Sequence, residues 1–335
     1  MSKGIVVNQE NKTISCPPSA VTPSTVMEMC KIASQIEGIV SHGTVVSCWA
    51  ALRQVTSVDG PLFRDQLCAL LLGQRPSFGL QAMLSTGILD FFPELRCLVG
   101  VPHDPEWHPE GDVWVHNCMV VDSAKRVLDE DGVSAVSDRL LVMFGALCHD
   151  LGKGFVTEFV DGRWRSHKHD SIADAATASF LSRFGFDEDF ISAVSATVVS
   201  HLMPFHFYKD KASLTSIRRL SSRVDLLALT RVARADFLGR TTPDAIACKD
   251  SREIPNCKWF SEQILAMQEI DSTPKPLVMG RDLIALGFAP GPDMGLLLKN
   301  AFHAQMDKSF FDKDGGIQWI LNFICNHDKA NASAT

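Results

Sequence analysis

The chain has 335 residues, of which 46% are hydrophobic and 21% charged, and its formal net charge is −7. This length and apolar content allow a large buried core, and the negative charge argues against a protein that coats nucleic acid with its whole surface. The ten cysteines include no CxxC pair, which argues against a zinc ribbon or a disulfide framework. The N-terminus lacks an apolar signal-peptide core and no apolar run reaches the length of a membrane span, so we expect a cytoplasmic protein without a membrane partner.

In chain order, most segments predict helices, because apolar residues recur three and four positions apart. Residues 24–40 show this spacing, and the almost entirely apolar run 140–148 (LLVMFGALC) predicts the buried part of another helix. Asp187 is the expected N-cap of a further helix over residues 188–203.

One segment departs from the helical pattern. In residues 156–166 (VTEFVDGRWRS), the pair Asp161-Gly162 lies between β-branched and aromatic residues, which predicts a β-hairpin. Residues 1–20 are expected to be flexible because their start is polar. We therefore predict an all-α fold with one small β-hairpin.

Histidines and aspartates recur at predicted helix ends in the middle third of the chain. The stretch 146–154 (ALCHDLGKG) ends an apolar helix on His149 and Asp150. A divalent metal ion held by nitrogen and oxygen donors would explain such side chains. Adjacent residues of an α-helix point about 100° apart, so this pair can share an ion only where the helix ends, and Gly152 permits that end. The full set is His116, His149, Asp150, His167, His169, His201 and Asp236.

Simpler interpretations exist for single members of this set. An adjacent His-Asp pair alone more often caps a structural helix end than binds a metal ion. Isolated histidines such as His42, His303 and His327 are usually buried or half-exposed side chains with one hydrogen bond. His103 and His108, in the loop before the first candidate ligand, could line the mouth of the site, but we prefer to interpret them as plain turn residues.

Three short motifs connect these residues to a known family. The segments VH (115–116), HDLGKG (149–154) and RADFLGR (234–240) form an H…HD…D pattern that resembles the HD superfamily of metal-dependent phosphohydrolases. Residues 91–121, 147–154 and 283–307 also resemble the neck, HD and tail portions of bacterial tRNA CCA-adding enzymes that carry an HD domain. This resemblance covers roughly residues 20–310. 

The resemblance implies a domain organisation. It places a helical HD domain at residues 101–245, after a flexible N-terminus (1–20) and a helical neck-like region (21–100), and before a helical tail-like region (246–335). The nucleotidyltransferase head of that family carries a Gly-Ser turn and a paired-aspartate strand, and nothing of this kind precedes residue 20. We therefore expect the phosphohydrolase activity of the family rather than nucleotide addition.

The resemblance also implies roles for the polar residues. His116, His149, Asp150 and Asp236 would hold one divalent ion, and His169 and His201 occupy positions that complete a second site in binuclear relatives. The ion would be Mg, Mn, Ni, Fe or Zn, and it would lower the pKa of a bound water for attack at phosphorus. In this scheme Asp150 faces the water and Lys153 stabilises charge on a phosphoryl oxygen. The alternative for Lys153 is a surface lysine at a helix C-terminus.

Candidate substrate contacts are fewer. We expect His167 and His206 to orient the phosphate or to support a metal ligand. Arg218 and Arg219 lie in an arginine-rich segment that could receive a phosphate backbone, although a solvated helix face is the simpler alternative. The arginines of this segment are Arg218, Arg219, Arg223, Arg231, Arg234 and Arg240.

Two functions follow from the resemblance. The first is a metal-dependent phosphohydrolase acting on 2′,3′-cyclic nucleotides, 2′-nucleotides, other phosphate esters or an RNA 3′ end. The alternative is a non-catalytic body that binds tRNA and works with a separate nucleotidyltransferase subunit. A binding module could lose His149 or Asp150, whereas a hydrolase could not, and both residues are present.

Overall fold

Helices make up most of the structure, a computed structural model that describes residues 4–270 and 275–332. They fall into two units, Met1–Asp210 with Val224–Ser261 and Lys211–Arg223 with Glu262–Thr335. The predicted mostly helical fold is confirmed. These units divide the chain at other positions than the predicted domain boundaries, which stay predictions.

The first unit begins with a small sheet that the sequence did not predict. Strands β1 (Val6–Asn8) and β2 (Thr13–Ser15) are antiparallel, and β3 (Ile39–Val40) pairs in parallel with β2. The structure differs here from the flexible segment predicted over residues 1–20, because Ile14 is fully buried in the core and anchors β2. Strands this short do not show the alternation by which a sequence reveals a strand.

The helices of the first unit follow one another with short connections. They are α1 (Pro23–Ile36), α2 (His42–Leu52), α3 (Gly60–Leu71), α4 (Pro76–Thr86), α5 (Pro93–Arg96), α6 (Val113–Glu130), α7 (Val136–Cys148), α8 (Lys153–Val156), α9 (His169–Arg183), α10 (Glu188–Ser200) and α11 (Met203–Asp210), and, after α12 (Leu214–Ser221) of the second unit, α13 (Leu226–Leu238), α14 (Pro243–Ala247) and the start of α15 (Pro255–Ile270).

Local signals account for several of these boundaries. Asp187 caps α10 as predicted, because its carboxylate accepts a hydrogen bond from the backbone N–H of Phe190 at 2.8 Å. The helix predicted over residues 24–40 ends earlier, at Ile36, because Glu37 adopts a left-handed conformation and turns the chain into β3. 

The predicted hairpin is present. Strands β4 (Glu158–Val160) and β5 (Arg163–Arg165) pair antiparallel, and both Asp161 and Gly162 have positive φ, at 51° and 77°. Two consecutive positive φ values are typical of the two-residue turn that Asp-Gly favours. The signal from the sequence therefore identified the correct turn.

Five helices form the frame around the polar cluster described below. Helix α13 packs against α6 and α7, and α10 packs against α7 and α9. Their contact faces are apolar and fully buried, with side chains such as Val120, Phe144, Leu147, Val194 and Val232 in one continuous core. Burying side chains of this size stabilises the fold by roughly 1.5–3 kcal/mol each.

The second unit has its own small core. Helices α16 (Gly280–Ala285), α17 (Pro292–Met306) and α18 (Lys313–Ala332) follow the end of α15, and α12 packs against α17. The core side chains are Val278, Leu283, Met294, Ala301, Ala304, Phe310 and Ile320. Among the described residues of both units, no single helix has the length and apolar composition to cross a membrane, although the bent pair Glu188–Ser200 and Met203–Asp210 meets that criterion jointly.

Gly152 allows a close contact between two segments rather than an unusual backbone conformation. Its φ of −62° and ψ of −27° suit any residue, so the predicted role of ending the helix is not what requires glycine. A Cβ at this position would lie 1.9 Å from the carbonyl oxygen of His169 and 3.0 Å from the backbone nitrogen of Ala173. The first turn of α9 therefore packs directly on the Gly152 backbone.

We expect Gly152→Ala to lower the free energy of unfolding by about 1–3 kcal/mol, because α9 must move away from the added methyl group. Urea unfolding followed by circular dichroism measures this loss. Gly43→Ala is the matched control, since a Cβ at Gly43 meets no atom within 4 Å. Equal stability of the two variants would contradict the close contact.

Candidate metal centre

Six side chains from five separate segments form one buried group, called here the His-Asp cluster. His116 lies one turn into α6, His149 and Asp150 directly follow α7, His169 begins α9, His201 directly follows α10, and Asp236 lies on α13. Of these, only His169 is partly accessible, with a side chain 13% exposed. Most of the cluster residues therefore lie at helix ends. At a helix end, the side chains of adjacent residues can face the same point.

Each imidazole of the cluster is fixed through its Nδ1 atom. His149, His169 and His201 are 2.8, 2.8 and 2.7 Å from the backbone carbonyl oxygen three residues earlier, and Nδ1 donates to that oxygen. His116 Nδ1 lies 2.7 Å from Glu110 Oε1. A nitrogen that donates to a protein acceptor leaves Nε2 as the free lone pair, the arrangement found in metal-binding histidines.

The Nε2 atoms converge on the two oxygens of Asp150. His149 Nε2 is 3.2 Å and His116 Nε2 is 4.0 Å from Oδ2, whereas His169 Nε2 is 3.5 Å from Oδ1. Two groups therefore share this carboxylate, and within each group the ligand atoms lie within 4.8 Å of one another. These groups are His116 with His149 and Asp150, and Asp150 with His169 and His201.

Asp236 adjoins the first of these groups. Its Oδ1 is 3.1 Å from His116 Nε2, and its Oδ2 accepts a hydrogen bond from Arg240 at 3.0 Å. Ligands about 2.1 Å from one ion at tetrahedral or octahedral angles lie roughly 3.0–3.4 Å apart, or about 4.2 Å when they are opposite. The four separations given above, 3.1, 3.2, 3.5 and 4.0 Å, lie between or close to these values.

Several atoms of the cluster lack an adequate hydrogen bond among the described residues. They are His149 Nε2, His169 Nε2 and both carboxylate oxygens of Asp150. Buried polar atoms without partners cost free energy, and divalent cations bound by the two groups that share Asp150 would satisfy these atoms. Imidazole nitrogens and carboxylate oxygens suit Zn, Fe, Mn or Ni, so the donor set fits a divalent ion.

The electrostatics of the cluster keep its carboxylates ionised. Burial alone would raise the pKa of Asp150, but the nearby His149 and Lys153 hold it well below its usual range. Burial also opposes ionisation of Asp236, whose pKa is nevertheless lowered by Arg240 and His116. Burial lowers the pKa of His201 to about 4, which keeps this imidazole neutral and able to donate its lone pair.

Glu110 is a supporting residue that the sequence analysis missed. Its Oε1 lies 2.7 Å from His116 Nδ1 and 2.9 Å from His108 Nδ1, and its Oε2 accepts a hydrogen bond from the backbone of Thr241 at 3.1 Å. It therefore orients His116 and links the loop before α6 to the end of α13. The sequence does show a glutamate six residues before the candidate ligand His116. Glu110 lies in a proline-containing loop, however, and residue spacing in a loop does not predict where a side chain points.

The loop histidines also differ from their interpretation as plain turn residues. His103 is 8% exposed, its ring stacks on His108 at 3.9 Å, and His108 also contacts the edge of His116. Together with Glu110 they have the composition of a cation site. The ammonium group of Lys153, 3.1 Å from His103 Nε2, disfavours a cation there, and Glu110 already accepts from two imidazoles.

The cluster opens into a pocket of about 830 Å³ that lies entirely in the first unit. Of the residues predicted to act on substrate, Lys153, His167 and His206 line this pocket. Arg218 and Arg219 do not: both lie on α12 in the second unit, where Arg219 pairs with Asp307 and Arg218 is 5% exposed. Their assignment as substrate contacts stays a prediction.

Aromatic and basic side chains surround the cluster in the same pocket. Trp107 and Phe205 are 54% and 52% exposed, and Trp164 of β5 lies beside them in the lining. Arg163 of the hairpin donates to Asp104 at 2.6 Å and also pairs with Glu106, which joins the hairpin to the His103 loop.

Comparison with known proteins points to one group of relatives. No family model matches the chain. The multifunctional CCA protein of Pseudoalteromonas atlantica is 28% identical over 205 residues, covering 60% of this chain and 47% of that protein. That of Methylococcus capsulatus is 29% identical over 211 residues, covering 59% of this chain and 44% of that protein. The chain thus spans less than half the length of the curated relatives it matches.

Solved structures of CCA-adding enzymes are also similar. A complex with CTP shares 13% identity and a TM-score of 0.45, covering 93% of this chain and 63% of that one. The Thermotoga maritima enzyme complexed with tRNA shares 12% identity and a TM-score of 0.44, covering 94% and 65%. The chain is similar in sequence to part of the multifunctional CCA proteins. Membership of the HD superfamily stays a prediction.

The two groups that share Asp150 lead to a stoichiometric prediction. We expect His201→Asn to remove one bound divalent ion and Asp150→Asn to remove both, because only the carboxylate belongs to both groups. Inductively coupled plasma mass spectrometry after dialysis against Mn²⁺ measures the ratio of metal to protein. Equal metal content in the two variants would contradict a shared carboxylate.

Proposed function

We propose that the chain hydrolyses phosphate esters in this pocket, with one or two divalent metal ions held by the His-Asp cluster. The observation that carries the proposal is the set of four imidazoles fixed through Nδ1, three of which (His116, His149 and His169) have Nε2 within 4.0 Å of the buried Asp150 carboxylate. Bound divalent ions would lower the pKa of water and offset negative charge on phosphoryl oxygens. No side-chain nucleophile is then needed.

The protein residues would bind and orient the phosphate. Lys153 Nζ lies 2.7 Å from Asp150 Oδ2 and faces the pocket, where it can place positive charge beside a non-bridging phosphoryl oxygen. His167 and His206 are exposed in the lining and can donate hydrogen bonds to other oxygens of the ester. Asp150, ionised and buried, can accept a hydrogen bond from the attacking water and orient it.

The size and lining of the pocket favour a nucleotide over a small phosphate ester. Pockets of about 300–1,000 Å³ accommodate molecules of drug size, and about 830 Å³ far exceeds the space that a phosphate group needs. The exposed ring of Trp107 and the partly buried ring of Trp164 both line the pocket and can stack on a base. We therefore favour 2′,3′-cyclic nucleotides, 2′-nucleotides or an RNA 3′ end as substrates.

We expect Asp150→Ala to abolish metal binding and hydrolysis of 2′,3′-cyclic AMP and p-nitrophenyl phosphate together, while helical content stays largely intact. Metal analysis, product release and circular dichroism measure these three properties. Asp65→Asn is the control, because the Asp65 side chain is 97% exposed and should leave all three unchanged. Undiminished turnover by the alanine variant would reject the assigned centre.

Removal of an aromatic ring separates base recognition from phosphate chemistry. We expect Trp164→Ala to raise KM for 2′,3′-cyclic AMP about 10-fold or more, since stacking on a base contributes roughly 1–3 kcal/mol, and to leave KM for p-nitrophenyl phosphate almost unchanged. Phe311→Ala, which removes a ring that is 78% exposed in the second unit, serves as the control. An equal loss on both substrates would mean that Trp164 supports the fold and not the base.

The relatives favour a second candidate function. Because this chain matches parts of multifunctional CCA proteins, it could bind tRNA without catalysis and act with a separate nucleotidyltransferase subunit. A gel-shift assay with tRNA at stated salt, run beside the hydrolysis assay, distinguishes the two. Tight tRNA binding by a wild-type protein that releases no product would favour this alternative.

A further inference from the structure

His103 contacts Lys153, a lysine that lies against the His-Asp cluster. Its side chain is 3% exposed, and its Nε2 atom lies 3.1 Å from Lys153 Nζ. Lys153 Nζ is at the same time 2.7 Å from Asp150 Oδ2. The ammonium group is therefore held between a carboxylate oxygen and an imidazole nitrogen.

The direction of this hydrogen bond follows from the chemistry of the two groups. An ammonium group has three N–H donors and no acceptor. His103 Nε2 must therefore be the unprotonated acceptor, and the proton of the neutral ring must lie on Nδ1. Lys153 therefore directs one N–H at His103, is ion-paired with Asp150 Oδ2 at 2.7 Å, and keeps a third N–H for the pocket that it lines.

The position of His103 is itself fixed by packing. Its ring stacks on His108 with centroids 3.9 Å apart and an angle of 27° between the planes. His108 Nδ1 in turn lies 2.9 Å from Glu110 Oε1. A chain of contacts thus runs from the carboxylate that orients His116 to the ammonium group of Lys153.

We propose that His103 is a positioning residue, which accepts a hydrogen bond from Lys153 and holds its ammonium group where the third N–H meets a phosphoryl oxygen. The inference rests on the proposed function, because it assigns a phosphate group to this pocket. His103 acts on the ligand only through Lys153. Without the imidazole, Lys153 keeps its pairing with Asp150 but can rotate about its flexible stem.

Two substitutions at His103 test the role of the acceptor. Glutamine can place its side-chain oxygen near the position of Nε2, whereas leucine fills similar space without an acceptor. We expect His103→Leu to weaken binding of inorganic phosphate and to lower kcat for p-nitrophenyl phosphate roughly 10- to 100-fold, the range for residues that orient a direct ligand. His103→Gln should restore most of both properties, and metal content and Tm should stay near wild type in each variant.

A double-mutant cycle tests whether His103 acts through Lys153. In a Lys153→Met background, His103→Leu should have no further effect on phosphate affinity or kcat. His42→Gln, which alters an exposed imidazole, should match wild type in every measurement. Additive losses in the double mutant, or a glutamine variant no better than leucine, would overturn the inference.

A measurement without turnover separates this inference from the proposed function. Long-range ¹H–¹⁵N spectra of histidine-labelled protein, assigned with His103→Gln, should show the His103 ring protonated on Nδ1. A ring protonated on Nε2 would overturn the inference even if hydrolysis is normal. If wild type hydrolyses no ester but still binds phosphate through the coupled His103 and Lys153 pair, the proposed hydrolysis fails and the positioning role stands.

Discussion

The burial of the Asp150 carboxylate is the constraint on which the structure around the pocket depends. A charged group that is 1% exposed needs compensating partners, because an unpaired charge in a protein interior costs several kcal/mol. Here Lys153 places one ammonium group 2.7 Å from Oδ2. The Nε2 atoms of His149, His116 and His169 lie 3.2–4.0 Å from the two carboxylate oxygens, and their lone pairs would hold a divalent cation that completes the compensation. Removing Asp150 would leave these groups without the charge around which they are arranged.

The helices are held in place by their own apolar packing and not by contacts within the cluster. Helices α6, α7, α10 and α13 bury a continuous apolar core, and the ends of α7 and α10 carry their histidines to its edge. The first turn of α9 reaches the same place because Gly152 has no side chain. The apolar core thus supplies the rigidity that keeps each imidazole in a fixed direction.

Much of this arrangement could be predicted from the sequence. The apolar run before His149, the Asp-Gly turn and the Asp187 cap each identified a real element, because each depends on chemistry within a few residues. All six members of the His-Asp cluster were also among the predicted site residues, although their joint position came from a family resemblance. The spacing of apolar residues predicts single helices. It does not predict that a side chain of α6 lies beside one of α13.

The parts that the sequence did not reveal share a physical cause. Glu110 and His103 lie in a proline-containing loop whose conformation depends on contacts with α8, α13 and the hairpin, so no local pattern predicts their directions. The N-terminal strands are stabilised by pairing with a segment beyond α1, which is a distant contact. The charge of Arg218 and Arg219 does not indicate the unit in which their helix lies, and their role as substrate contacts stays a prediction.

The contacts of Arg163 join the β4–β5 hairpin to the loop that carries Asp104 and Glu106, and they respond to salt. Arg163 is 39% exposed where it pairs with Asp104 and Glu106, so dissolved ions screen these contacts. The carboxylates and imidazoles of the inner cluster are shielded from the same ions by burial. High salt therefore weakens the exposed contacts between the hairpin and the loop that carries Asp104 more than it weakens the contacts inside the buried His-Asp cluster.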